Sequence, residues 1–254
     1  MAALLEYNDR NVPWPPPSGP KDFTVYQPAC PVPDALSVRS ASIFLAAVVL
    51  TAIPVAHFAS PLVSDEMLNR LRTVYSDEAY RRGIAINRLI DDLRARDSIT
   101  QLREINRFFN QFEYQTDQAQ WGEADYWATP FEFVGRQRGD CEDFVIAKYF
   151  ALRKLGVPDE RLYLTYVKAL KQNVAHMVLS YFENPTSEPL ILDNYNPKIE
   201  PASARQDLLP VYSFNAESLF LSNASAGLGR SLPNDRVRNS KWQKLLGEMG
   251  ESGK

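Results

Sequence analysis

The sequence has very few residues that could carry thiol or imidazole chemistry. Its 254 residues include only two cysteines, Cys30 and Cys141, and two histidines, His57 and His176. Two cysteines are too few for a disulfide-stapled scaffold or for a zinc site with four thiolate ligands. Any nucleophilic or metal-binding role of cysteine or histidine must therefore fall on these four side chains.

The sequence also lacks an excess of positive charge. Its 31 acidic residues outnumber its 28 basic ones, which gives a formal net charge of −3. This balance argues against a protein that is held to nucleic acid by a basic field, so we expect no nucleic-acid partner. Hydrophobic residues make up 45% of the chain, which is enough to build a packed core.

Prolines crowd the start of the chain. Residues 1–40 hold eight of the 18 prolines, and proline both removes a backbone donor and fixes φ. We expect this leader to be disordered, or to precede the true translation start, which would then lie near Leu36 or Val38.

An uncharged apolar run, IFLAAVVLTAIPVA, follows at residues 43–56. It is shorter than the roughly 20 residues that span a bilayer, but it suits the apolar core of an export signal, which takes about 7–15. A buried core helix is the alternative, although no later segment is as uniformly apolar. We therefore predict that residues 41–60 are a signal peptide or a retained signal anchor, and that residues 61–254 form the exported domain.

Hydrophobic periodicity predicts mainly helices in the first part of this domain. Residues 65–96 show helical spacing, and Gly83 could divide them into two helices. An S-x-x-Q capping box at Ser98 and Gln101 predicts the start of the next helix, whose apolar face we assign to the core. Residues 114–139 are rich in glycine, glutamine and aromatic residues, and we expect a long loop there.

A helix headed by Cys141 and a set of strands are predicted to follow. The helical pattern runs to Leu155 and ends at Gly156 and Pro158. The apolar period then changes to two, which predicts antiparallel strands. Their ranges are 161–170, 174–182 and 190–195. This order of elements indicates the α+β class, and the tail beyond residue 235 carries no clear pattern.

Three residues far apart in the sequence could form a nucleophilic site. Cys141 lies in the first turn of its helix, where unpaired N–H groups and the helix dipole favour a thiolate and lower the thiol pKa. His176 is in the second predicted strand and Asp193 is in the third, so strand pairing could bring them together. Each residue alone is more often structural. A thiol, a base and an orienting carboxylate in one fold, however, favour nucleophilic catalysis.

Four segments resemble the bacterial transglutaminase-like cysteine peptidases. They are WATPFEF (127–133), GDCEDFVIAKYFALRKLGVP (139–158), AHMVL (175–179) and LILDNYNP (190–197). The resemblance extends over residues 65–220. It implies a papain- and transglutaminase-like α+β fold, in which N-terminal helices and the cysteine-headed helix pack on an antiparallel sheet. It also implies that Cys141 is the nucleophile, His176 the general base and acid, and Asp193 the orienting carboxylate.

The resemblance further implies a function. Members of this family are periplasmic, calcium-dependent cysteine endopeptidases that cleave the N-terminal region of a large cell-surface adhesin and so promote biofilm dispersal. An inner-membrane receptor for cyclic di-GMP sequesters them. Two alternatives stay open for this chain: a transglutaminase-like acyl transferase that uses the same triad, and a non-catalytic calcium-dependent binding module.

Three acidic residues crowd around the predicted nucleophile. Asp140, Glu142 and Asp143 would repel one another and raise the pKa of the Cys141 thiol, and a bound calcium ion would remove both penalties. Acidic residues that merely complement the helix dipole are the alternative, and the spacing is not that of an EF-hand. The resemblance favours calcium, with Asp140 and Glu142 most directly implicated.

An oxyanion hole should accompany the nucleophile, because acyl transfer places negative charge on the carbonyl oxygen. The backbone N–H of Cys141 is the natural first donor. The sequence does not identify the second donor, and the loop around Tyr126 and Trp127 is the one candidate region.

Overall fold

A computed structural model describes residues 61–221, 228–232 and 240–249. The proline-rich leader at 1–40 and the signal segment at 41–60 lie outside the described residues, so what the sequence indicates for them stays a prediction. Among the helices within the described ranges, none is both long enough and apolar enough to cross a bilayer.

The helices before Cys141 break at Ser76 and not at Gly83. Helix α1 is Asp65–Arg70, a π-helical turn covers Leu71–Tyr75, and α2 is Asp77–Leu93. Ser76 is extended, and its hydroxyl accepts a hydrogen bond from the N–H of Ala79, which caps α2. A Cβ atom at Gly83 would lie 2.6 Å from a methyl carbon of Leu71. Gly83 therefore serves close packing inside a continuous helix, and the predicted break there is wrong.

Helix α3, Ser98–Phe109, is capped by Asp97 and not by the predicted box of Ser98 and Gln101. The Asp97 carboxylate accepts hydrogen bonds from both the N–H and the hydroxyl of Thr100, at 3.0 and 2.7 Å. The amide of Gln101 turns back instead to the carbonyl of Leu93. A carboxylate at this position accepts both hydrogen bonds. Its negative charge also complements the helix dipole, whereas a serine hydroxyl carries no charge.

The segment predicted as a long loop contains two short helices and a pair of short strands. Strands β1, Glu113–Tyr114, and β2, Arg138–Gly139, pair in parallel. Between them lie α4, Asp117–Gln120, and α5, Pro130–Arg136. Thr129 and Glu132 form a reciprocal capping box that starts α5. The sequence T-P-F-E carried this signal, so the helix was predictable.

Helix α6, Cys141–Lys154, lies between the other helices and the main sheet. Every residue from Asp143 to Leu152 is buried, as expected of a helix covered on all sides. The sheet is seven-stranded and its pairs are antiparallel, in the order β6-β5-β4-β3-β7-β8-β9. Its strands are β3, Leu162–Ala169; β4, Val174–Tyr181; β5, Leu190–Leu192; β6, Glu200–Pro201; β7, Leu208–Phe214; β8, Leu219–Leu221; and β9, Arg230–Leu232. The predicted α+β fold is confirmed.

A C-terminal helix, α7 at Ser240–Glu248, contributes to the core although the sequence pattern had assigned it no role. Its Trp242 is fully buried and donates its indole N–H to the carbonyl of Asn215 at 3.0 Å. The indole also packs edge-on against Tyr149 and Phe214. Helix α7 therefore ties the end of the described chain to α6 and to the sheet.

Trp242→Ala is expected to lower the free energy of unfolding by about 3–5 kcal/mol, because it deletes a large buried side chain. Urea unfolding measures the loss. Gln243→Ala is the matched control, since Gln243 is exposed on the same helix and should change the free energy by less than about 0.5 kcal/mol. Equal effects of the two substitutions would contradict a stabilising role of α7.

Candidate active site

Cys141 is the first residue of α6, as the sequence predicts, and it is a free cysteine that is partly buried. Its thiol donates a hydrogen bond to a carboxylate oxygen of Glu142 at 3.1 Å. The backbone N–H of Met177 on β4 donates to the sulfur. The nucleophile candidate therefore lies directly against the strand that carries His176.

His176 and Asp193 meet at the core, as strand pairing predicts. The imidazole Nε2 lies 2.8 Å from Oδ1 of Asp193, and both side chains are fully buried. Asp193 directly follows β5, and β5 pairs with β4. Within the part of the chain that the structure describes, the imidazole Nδ1 has no hydrogen-bond partner. An ionised carboxylate can only accept, so Nε2 carries the proton and Nδ1 keeps its lone pair for a proton from a thiol.

The Asp193 carboxylate is held by more than the imidazole. The N–H of Tyr195 donates to Oδ1 at 2.9 Å, and Nη2 of Arg205 donates to Oδ2 at 2.7 Å. The amide of Asn110 holds the backbone carbonyl of Asp193 at 2.8 Å. Burial acts to raise the pKa of Asp193, but the bonds from His176 and Arg205 outweigh it and lower the pKa below its usual value. Asp193 is therefore ionised at neutral pH.

Two exposed tyrosines lie beside the site. The ring of Tyr195 stacks flat on the imidazole of His176, with centroids 4.0 Å apart and planes 5° from parallel. The ring of Tyr114 lies beside Tyr195 with centroids 6.2 Å apart, and both residues are exposed. Both rings are close enough to Cys141 for its charge to act on them.

A buried lysine lies behind the site and was not singled out from the sequence. Lys148 is on α6 and is fully buried, and its Nζ has no hydrogen-bond partner among the described residues. Burial lowers the pKa of Lys148 to about 7, while the charge of Asp193 acts to raise it. The periodicity of α6 places residue 148 on a buried face, but it does not show which charge it meets there.

An acidic cluster surrounds the thiol. Oxygen atoms of Asp117, Asp125 and Glu142 lie within 4.8 Å of one another, and so do those of Asp117, Asp140 and Asp143. Burial and the charge of Glu142 raise the pKa of Asp140 to about 9.

The same surroundings raise the pKa of the Cys141 thiol well above its usual value, first through burial and then through the charges of Glu142 and Asp140. The sequence predicts that the helix N-terminus lowers this pKa. That prediction is wrong when only the groups of the protein act on the thiol, because together they raise it. The dipole acts on the thiol from one end of a helix, whereas burial and two carboxylates act at direct contact.

The cluster has the donor set of a calcium site. Buried carboxylate oxygens of Asp117 and Asp140 have no hydrogen-bond partner among the described residues. The converging carboxylates outnumber the cationic side chains that pair with them. Such a set of oxygen donors suits a hard divalent ion. Lys241 is 2.7 Å from Asp125 and offsets one negative charge of the cluster.

The three acidic residues implicated from the sequence differ in the contacts that they make. Asp140 and Glu142 each have a carboxylate oxygen within 4.8 Å of the thiol sulfur and of each other. The two oxygens of Asp143 accept bonds from the N–H groups of Ala128 and Asp140, at 2.8 and 3.3 Å, so Asp143 also serves the helix cap. Asp117, at the start of α4, and Asp125 were missed because nothing in their spacing links them to residue 140.

The side chains of Tyr126 and Trp127 are engaged in other hydrogen bonds, and the second oxyanion donor stays a prediction. The Tyr126 hydroxyl donates to Glu132 at 2.8 Å, and the indole of Trp127 donates to Asp125 at 3.0 Å. The N–H of Tyr126 is bonded to Asp117. These bonds order the acidic cluster instead, and the Cys141 N–H stays the natural donor.

Comparisons with known proteins find a family model and solved structures that are similar to this chain. Residues 87–207 match the family model described as bacterial transglutaminase-like cysteine proteinase. No curated protein sequence matches the chain. A solved structure of LapG from Legionella pneumophila is 45% identical with a TM-score of 0.63, covering 75% of this chain and 99% of that one.

Two further solved forms of Legionella pneumophila LapG are similar to this chain. An EGTA-treated form is 45% identical with a TM-score of 0.64, and covers 75% of this chain and 100% of that one. A calcium-bound form is 44% identical with a TM-score of 0.62, and covers 72% and 98% of the two chains. The likeness therefore extends over nearly the whole length of LapG.

Proposed function

Because this chain belongs to the bacterial transglutaminase-like cysteine proteinase family, we propose that it is a calcium-dependent cysteine endopeptidase whose triad is Cys141, His176 and Asp193. The observation that carries the proposal is the buried pair of His176 and Asp193. This pair leaves the imidazole Nδ1 without a hydrogen bond, and the thiol contacts the strand that carries His176.

The arrangement supports acyl transfer through a thioester. The Cys141 thiol gives its proton to Nδ1 of His176, and the sulfur attacks the carbonyl carbon of the scissile peptide bond. The backbone N–H of Cys141 stabilises the resulting oxyanion. The imidazolium then protonates the leaving amine as the C–N bond breaks, and Asp193 stabilises the imidazolium throughout. A water molecule, deprotonated by the same imidazole, hydrolyses the thioester and frees the thiol.

We propose that Asp117, Asp125, Asp140 and Glu142 hold the calcium ion. Their converging oxygens and the unpartnered oxygens of Asp117 and Asp140 support this assignment. LapG has been solved in a calcium-bound form, which supports the choice of metal by similarity. The bound ion supplies positive charge next to the thiol, which lowers the thiol pKa and relieves repulsion among the carboxylates.

We further propose that the substrate is the N-terminal region of a large cell-surface adhesin, cleaved in the periplasm, so that cleavage promotes biofilm dispersal. An inner-membrane cyclic di-GMP receptor is the proposed regulator that sequesters the enzyme. The family resemblance supports both, and the apolar run at residues 43–56 supports export.

Incubation with a purified N-terminal adhesin fragment is expected to produce two new peptide termini, because water is the acyl acceptor of a peptidase. Mass spectrometry of the products identifies them, and the Cys141→Ala protein is the control. An amide cross-link in place of new termini would identify an acyl transferase. No product of either kind, with Cys141 inert to alkylation, would favour the binding module.

A further inference from the structure

We propose that Arg205 is the positioning residue of the triad carboxylate, and that its guanidinium fixes both the orientation and the charge of Asp193. This assignment rests on the proposed function, because it concerns how the same triad is held. Neither the helical nor the strand periodicity of the sequence singles Arg205 out.

The guanidinium of Arg205 connects Asp193 to a second carboxylate. The Arg205 side chain is only 3% exposed, and its Nη2 lies 2.7 Å from Oδ2 of Asp193. Its Nε and Nη2 also donate to the two oxygens of Asp207, at 3.0 and 2.9 Å. Asp207 therefore fixes the plane of the guanidinium by a two-point contact, and the fixed guanidinium holds Asp193.

The contact to Arg205 leaves the other oxygen of Asp193 for the imidazole. Oδ2 faces Arg205, whereas Oδ1 faces Nε2 of His176 at 2.8 Å. Rotation of the carboxylate would break both bonds at once. Arg205 therefore sets the position of Oδ1, although it does not touch the reacting atoms. Through Oδ1 it also sets the orientation of the imidazole edge that carries Nδ1.

Arg205 also keeps Asp193 ionised. The groups that face this carboxylate are His176 from β4, Arg205 from the segment after β6, Lys148 from α6 and the N–H of Tyr195. Burial acts to raise the pKa of Asp193, and the bonds from His176 and Arg205 lower it. Without Arg205, a carboxyl group in this position protonates more readily.

Protonation of Asp193 would disable the imidazole as a base. A protonated carboxyl donates to Nε2, and the neutral imidazole must then carry its own proton on Nδ1. Nδ1 could no longer accept the thiol proton. Loss of Arg205 should therefore lower kcat without weakening substrate binding. It should also raise the pH at which activity is lost on the acid side of the pH profile.

The test measures kcat and KM for cleavage of the adhesin fragment across a range of pH, with the full chain loaded with calcium. Arg205→Met is expected to lower kcat roughly 10- to 100-fold, as for loss of one hydrogen bond to a buried charge. KM should stay within about 2-fold of the wild-type value, since uniform substrate binding is untouched. The acid limb of the pH profile should move to higher pH. Lys148 is present in every protein compared, so its titration is common to all the profiles.

Conservative variants keep the test decisive if Arg205→Met does not fold. Arg205→Lys retains the charge but cannot bridge both carboxylates, so its kcat should fall between those of the wild type and the methionine variant. Asp207→Asn loosens the guanidinium and should lower kcat less. Arg153→Lys is the matched control, because Arg153 pairs with Asp159, away from the triad, and should leave the acid limb unchanged.

Two results would overturn the role of Arg205. One is a wild-type kcat and pH profile in both Arg205→Lys and Asp207→Asn. The other is a lower kcat with an unchanged acid limb in the Arg205 variants, together with the same result in Arg153→Lys. That outcome would show a structural effect only. In either case Cys141→Ala must be inactive. If Cys141→Ala cleaves the fragment normally, it is the proposed function that fails, whatever Arg205 does.

Discussion

Cys141→Ala is expected to abolish peptide cleavage, His176→Ala to lower kcat by about 10⁶-fold and Asp193→Ala by about 10⁴-fold. The thiol is the proposed attacking group, and no neighbouring side chain among the described residues can replace it. The imidazole and the carboxylate act with it as one unit, since Asp193 sets which nitrogen of His176 is free. Double variants should therefore lose little more activity than the single ones.

The chain offers its own controls for these substitutions. Cys30 and His57 are the other cysteine and histidine, and alanine at either position should leave kcat unchanged. Circular dichroism and a thermal unfolding curve show whether each variant is folded. Normal cleavage by a folded Cys141→Ala protein would rule out a cysteine peptidase mechanism.

Removal of calcium by excess chelator is expected to reduce cleavage by at least about 10-fold, since one pKa unit of the thiol changes its ionised fraction by that factor. Burial, Glu142 and Asp140 raise the pKa of the Cys141 thiol, so with no cation less of it is ionised at neutral pH. A bound cation opposes those charges, lowers the pKa and increases the thiolate fraction. The rate of alkylation by iodoacetamide, mapped to Cys141 and compared with and without chelator, reports this fraction directly.

Two further measurements separate the metal site from the chemistry. Calcium should raise the midpoint of thermal unfolding, because it binds the folded protein only. Asp117→Asn, Asp125→Asn, Asp140→Asn and Glu142→Gln should each weaken that effect. Asp143→Asn instead disturbs the cap of α6. Cleavage, alkylation and unfolding that are all indifferent to chelator would contradict calcium dependence.

The parts of the site that the sequence predicts are those set by local periodicity. Cys141 follows a loop and heads an apolar helical pattern, and His176 stands in a strand with an apolar alternation. Asp193 follows the next strand, so a simple antiparallel order is enough to pair it with His176. The catalytic role of these residues stays a prediction, because hydrogen bonds and burial describe placement and not activity.

The parts that the sequence does not predict depend on contacts between distant segments. Arg205 reaches Asp193 by its own long side chain, and Asp117 joins the cluster although it lies far from Asp140 in the sequence. Trp242 is buried although its helix lies in a charged tail. Errors of local prediction have local causes: Asp97 competes with Ser98 for the cap, and the capping box at Thr129 lies in an aromatic segment whose composition is typical of a loop.

The flat contact between Tyr195 and His176 closes one side of the imidazole to approach. Together with the bond to Asp193, this stacking leaves the ring little freedom to rotate. A base that is already held in one orientation has less conformational entropy to lose when a substrate binds, so less of the binding free energy is spent on ordering it.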